Sequence, residues 1–308
     1  MDLNISFETN HIRMDELWLH AYETISSIDG DEIPLATWLY PSVVSTMTLF
    51  ASSREECKQH LAKGVRCVLN GDVEAYGDAI YFLPRAITRY FTHTGVLLIP
   101  EHLLDNFIAF YNIPIASSAE GQVSISPLLL GGYLDAQRLT SLYGRRADPD
   151  EISLRLQAYY AARRMNGLGI CTDDMGQPLV YENLYSAYFD FMNDDSRSEI
   201  GSYVALSSFE ILPKDKHILF EALMGLEMYD ALFASLLEAG KMGSTMEELS
   251  AFLVALVGGI CGVSFEAVTR GRFYANPHAP FDMSYRLLIP YHAGVMVFSK
   301  DAEIDENY

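Results

Sequence analysis

Asp148-Pro-Asp-Glu-Ile-Ser-Leu-Arg-Leu-Gln-Ala-Tyr-Tyr-Ala-Ala-Arg-Arg164 packs the local signals of an α-helix into seventeen residues. Asp148 offers a capping oxygen to the free N–H groups of the first turn, and Pro149 fits the first helical position. Asp150 and Glu151 complement the positive end of the helix dipole; Arg163 and Arg164 complement the negative end. Gly167 supplies a left-handed stop. A helix over 148–164 follows, and similar signals recur on both sides of it.

His11 to Ile28 places Met14, Leu17, Trp18, Ala21, Ile25 and Ile28 on one face, the spacing of an amphipathic helix. Ser53-Arg-Glu-Glu56 reads as a capping box ahead of Cys57, Leu61, Val65 and Val68. Pro100 opens another helix. Further helices are expected at 36–50, 74–91 with a kink near Pro84, 126–143, 179–193, 215–240 with a break near Gly225, and 245–260. Ser244-Thr-Met-Glu247 is a second capping box. Strand signals are confined to the ends. Leu3, Ile5 and Phe7 alternate, and Tyr285–Ile289 and Val295–Phe298 flank Pro290–Gly294 as a hairpin with a longer loop. The expected fold is therefore mainly α, a multi-helix globular fold of two lobes with short β-structure near the termini. Two turn-rich stretches, Ile113 to Gln122 and Asn166 to Pro178, could separate lobes; the second is favoured, dividing an N-terminal helical lobe (1–166) from a C-terminal one (179–300), with a single domain as the alternative. Residues 301–308 form an acidic tail.

Composition bounds the function. Half of the 308 residues are hydrophobic and a fifth are charged, which is globular and not disordered composition. The formal charge is −20, which opposes general binding to nucleic acid or anionic membranes. Four scattered cysteines suggest reduced thiols and an intracellular, soluble protein, or a virion component if the source is viral. The opening residues carry no signal-peptide pattern. Leu249 to Phe265 is uncharged, but its glycines and serines point to a buried core helix and no membrane span.

Motifs that carry chemistry are scarce. Gly240-Lys241 lacks the earlier glycine and the hydroxyl residue of a phosphate loop, and Gly167-Leu-Gly169 lacks the third glycine of a dinucleotide fingerprint. No zinc, calcium or nucleophile-elbow pattern occurs. No cofactor and no catalytic residue is assigned. Asp190 and Asp194, and Asp195 and Glu199, lie four apart. A helix continuing from 179 through 199 would put each pair on one face, a weak divalent-metal candidate.

The charge pattern gives the stronger lead. Between Arg138 and Arg164 six arginines (Arg138, Arg145, Arg146, Arg155, Arg163, Arg164) face three acids, a net +3 that leaves −23 on the rest. Tyr159 and Tyr160 interleave with them, a composition suited to stacking on single strands. The patch fits a polyanion, an acidic face of a neighbouring subunit, or internal pairing with the chain's own acids. Nineteen Tyr, sixteen Phe and twelve Met favour association, since Tyr and Met are enriched at interfaces. The expected function is a non-catalytic, self-associating structural subunit of a larger assembly, of capsid or nucleocapsid type. The arginine patch would make subunit or nucleic-acid contacts. The alternatives are an acidic inhibitor or immunity-type protein for a basic partner, and a helical metal-dependent enzyme.

Overall fold

The structure, a computed structural model, describes residues 3–51, 53–120, 126–147, 149–161, 164–165, 170–173, 175–192, 196–238, 245–264, 275–291 and 294–301. It is mainly α, with twelve α-helices and a small terminal sheet among the described residues. In chain order the helices are α1 (Ile12–Ser27), α2 (Pro41–Ser45), α3 (Arg54–Asn70), α4 (Leu83–Thr94), α5 (Leu104–Glu120) and α6 (Pro127–Arg138). There follow α7 (Pro149–Ala161), α8 (Val180–Phe189), α9 (Arg197–Leu206), α10 (Lys216–Gly225), α11 (Tyr229–Glu238) and α12 (Met246–Val254). The strands are β1 (Ser6–Thr9), β2 (Arg164–Met165), β3 (Cys171–Thr172), β4 (Tyr285–Tyr291) and β5 (Gly294–Lys300).

The amphipathic stripes lie where the periodicity puts them. α1 buries Met14, Leu17, Trp18, Ala21 and Ile25, and α3 buries Cys57, Leu61, Val65 and Val68. The chain ends meet: β1 pairs antiparallel with β4, and β4 with β5, in the order β1-β4-β5. Tyr285, Leu287 and Ile289 of β4 point into the core.

Several boundaries differ from the sequence expectation, each for a local reason. α7 stops at Ala161, and Arg164 begins β2, which pairs with β3; Asp148, Arg163 and Gly167 lie outside the described residues. Pro41 cannot continue a helix from 36, so that stretch is a 3-10 turn (Thr37–Leu39), α2, and a π-helical turn (Thr46–Phe50). Between 74 and 94 the break falls at Gly77 (φ 50°), while Pro84 sits in the first turn of α4. Ser53 makes no capping bond. At α12 the cap is Thr245, one residue later than expected, and its side chain accepts from the Glu248 N–H. The β4–β5 ladder runs to Tyr291 and Gly294, so only two residues join the strands. α8 ends at Asp190 in the left-handed conformation (φ 53°), and a new helix starts only at Arg197.

α10 and α12 form the centre. Residues 217–223 of α10 are all buried, and α12 buries Leu249 through Val254. α10 packs on α8, α11 and α12; α12 packs on α2, and α2 on α4. Residues from both sides of 166–178 thus share one hydrophobic core. Each fully buried Phe or Leu there, such as Phe220 or Leu253, contributes roughly 1.5–3 kcal/mol. α6 meets α8 closely at Gly131, where a Cβ would overlap the Phe189 ring. Among the described residues no helix is long and apolar enough to cross a membrane; within the uncharged run, 249–254 belong to α12 and Ala255–Ile260 form the π-helical turn after it.

Inside α12, Glu248 is buried and its pKa is pushed up to about 7. Burial is the main cause, reinforced by the neighbouring carboxylates of Glu247 and Asp215. A raised carboxyl pKa means stability is fully present below the unfolded value near 4.5 and is lost as pH rises through about 7. Glu248→Gln is therefore expected to match the wild type near pH 4 and to exceed it at pH 8 by about 2–3 kcal/mol. Urea denaturation of both proteins at the two pH values measures this; an equal difference at both would remove the ionisation account. His93 and His217 act in the opposite sense. Their pKa values are lowered, chiefly by burial, so stability from them is lost as pH falls below about 6.5.

Candidate functional site

Two clefts of opposite character open between the helices. The first, about 440 Å³, gathers Arg85 and Arg89 from α4, Arg138 from α6 and Arg197 from α9. Its arginines are engaged internally. Arg85 forks onto Asp135 (2.7 and 3.3 Å) and donates to the Tyr188 carbonyl. Arg138 reaches Asp135 (2.8 Å) and the carbonyls of Phe189 (2.9 Å) and Asp190 (3.0 Å). Arg197 bonds Asp190 Oδ1 (2.8 Å) and the Gly225 carbonyl (2.7 Å), and Arg89 pairs with Glu221 at 3.6 Å. The last carbonyls of α8 and α10 have no partners within their helices, and guanidinium forks satisfy them while neutralising the dipole ends. This cleft is a cationic clamp on two helix C-termini.

The second cleft, about 530 Å³, is acidic and aromatic. Tyr40 enters it from the turn before α2, and Tyr181 and Tyr185 from successive turns of α8. Asp78 comes from the 3-10 stretch before α4, Asp215 precedes α10, and Glu247 sits in the first turn of α12. Tyr181 donates to Asp215 Oδ2 (3.0 Å) and accepts from the Leu212 N–H (3.1 Å); Thr37 donates to Glu247 Oε1 at 2.5 Å. His217 lines the cleft edge-on to Tyr40, ring centroids 4.8 Å apart. The Tyr40 hydroxyl is pushed up to about 12, by burial first and then by Glu247, Asp215 and Asp78, so it stays a protonated donor at neutral pH.

The residues singled out from the sequence that the structure describes have different surroundings. Arg138 belongs to the cationic cleft. Arg145 and Arg146 are exposed after α6, and Arg145 pairs with Asp105 at 2.6 Å. Arg155 is half-buried on α7. Tyr159 is buried; it donates to Glu182 (2.8 Å) and meets Phe191 edge-on, so it packs in the interior and presents no stacking face. Arg163 and the side chains of Tyr160 and Arg164 lie outside the described residues. Of the metal candidates, Asp190 caps the end of α8 and is held by Arg197, and Glu199 lies in the first turn of α9. Asp194 and Asp195 lie outside the described residues, among which no group of three or more His, Cys, Asp or Glu could hold a metal ion.

Two features escaped the sequence reading. The acidic cleft joins segments as far apart in the chain as Tyr40 and Glu247, which leaves no local motif. The other had a signal: Met283 to Lys300 contains no Asp or Glu in a chain with 41 acids. This is the β4–β5 hairpin, itself expected from the alternation; its freedom from acids was the part missed. β5 lies at the sheet edge, and Val295 and Val297 on its outer face are 60% and 54% exposed. No protein-family model, curated protein or solved structure matches the chain.

Proposed function

We propose that the protein is a self-associating structural subunit and that β5 is its contact strand. One observation carries this reading. β5 is a seven-residue edge strand, proline-free and acid-free, and among the described residues nothing pairs with its outer edge. Unpaired strand edges template addition of another strand, and proteins usually blunt them with charge, proline or a cover. The occupant is a second copy. Two antiparallel β5 strands related by a two-fold axis are self-complementary. On a chain of charge −20, copies approach with least repulsion where acids are missing, and the hairpin carries Arg286 and Lys300 instead. Val295 and Val297 then cover each other. A shell of capsid or nucleocapsid type is the extension of this reading suggested by the aromatic and Met content.

Light scattering across concentration and salt, with absorbance at 260 and 280 nm, tests the proposal. The expected mass is at least twice 34.5 kDa, and Val297→Glu should weaken association at least tenfold without unfolding the protein, because the side chain is exposed. A raised 260/280 ratio would add nucleic acid to the assembly. A monomer at every concentration and salt overturns self-association and favours capture of a basic partner.

A further inference from the structure

The acidic cleft has the features of a ligand site. We propose that it binds an organic dication, a diamine or polyamine, with ammonium groups at its carboxylates and methylenes along its tyrosine rings. Asp78, Asp215 and Glu247 bring three negative charges from three separate segments, and the exposed Lys214 offsets one. The balance is −2 with His217 neutral, which matches two ammonium groups.

Acidic residues alone would define no ligand; His217 narrows the choice. It is only 5% exposed, and its Nδ1 lies 2.8 Å from the Lys214 carbonyl. A carbonyl only accepts, so Nδ1 carries the proton and Nε2 is left as an acceptor. Among the described residues, that Nε2 has no hydrogen-bond partner. Burial holds the ring neutral by lowering its pKa, against Glu247 and Asp215. A buried acceptor without a donor is costly, and an N–H group is its complement, as an anion is not.

Size and shape separate an organic cation from a metal ion. Among the described residues no three acidic or imidazole groups converge closely enough for a metal. The carboxylates instead line a space of about 530 Å³ that also holds Tyr40, Tyr181 and Tyr185. That volume is within the usual range for small-molecule pockets, and phenol rings attract ammonium groups and their methylenes through the ring quadrupole.

Isothermal titration of the full chain at constant ionic strength tests this, with diaminobutane, spermidine and Mg²⁺ as probes. Saturable binding of both amines is expected, with no matching response to Mg²⁺. Asp215→Asn should weaken it at least tenfold. Lys214→Met should tighten it several-fold, a gain that loss of folding cannot mimic. No saturable heat with either amine, an equal response to Mg²⁺, or affinity unchanged in both variants would overturn the proposal.

Discussion

Asp135→Ala is expected to destabilise the fold by about 3–5 kcal/mol, the range for removing one partner of a buried ion pair. Asp135 is the shared carboxylate of Arg85 and Arg138, and its side chain is only 5% exposed. Arg85 is 18% exposed and lies over the rings of Tyr188 (4.4 Å) and Phe189 (5.0 Å). Without the carboxylate, its guanidinium keeps the desolvation cost and loses the compensating charge. The loss spreads, because the same fork fixes the end of α8 against α4 and α6. Urea denaturation gives the number, and the exposed Arg145–Asp105 pair is the internal control. Asp105→Ala should cost no more than about 1 kcal/mol, since its partners are 42% and 72% exposed. Equal losses in the two variants would show that the buried network does not anchor the helices.

Gly262→Ala is the second change with a large expected effect. Gly262 follows the π-helical turn after α12 with φ +67°, in the left-handed region that L side chains rarely adopt. A Cβ there would also overlap the carbonyl of Asn276, whose N–H donates to the Gly262 carbonyl at 3.0 Å. The obstacle is backbone and cannot swing away as a side chain would. Left-handed strain of ~1–2 kcal/mol and overpacking of ~1–3 kcal/mol act together, so about 3 kcal/mol is expected. A fall in thermal midpoint of several degrees, with amide exchange accelerated around Val263 and Ala275, would be the signature. A variant as stable as the wild type would mean that 262 and 276 do not pack as described.

These two sites show where sequence reading reaches and where it stops. The helix faces of α1 and α3 were legible because burial repeats every three to four residues, and that period is written in the chain. The terminal strands were legible from alternation. The ends of helices were less so. Asp190 stops α8 where the apolar pattern would have continued, and the chain there is met by guanidinium groups from α4, α6 and α9. The pairs Asp190–Asp194 and Asp195–Glu199 were read on a helix continuing past that point, and Asp194 and Asp195 lie outside the described residues. The arginine cluster was visible as charge, but not that Arg138 would be held by Asp135 and two carbonyls while Arg145 pairs with Asp105, and Tyr159 shows that an aromatic beside arginines can face the core.

By itself the sequence determined the mainly α class, the strands at both ends, the core faces of the helices and the strong net negative charge. These depend on local periodicity and composition. Only the tertiary structure decided which acids meet which aromatic rings, where the arginines find carbonyls, and that among the described residues no strand pairs with the outer edge of the acid-free hairpin. Those features arise from contacts between segments far apart in the chain, and no local pattern of residues encodes them.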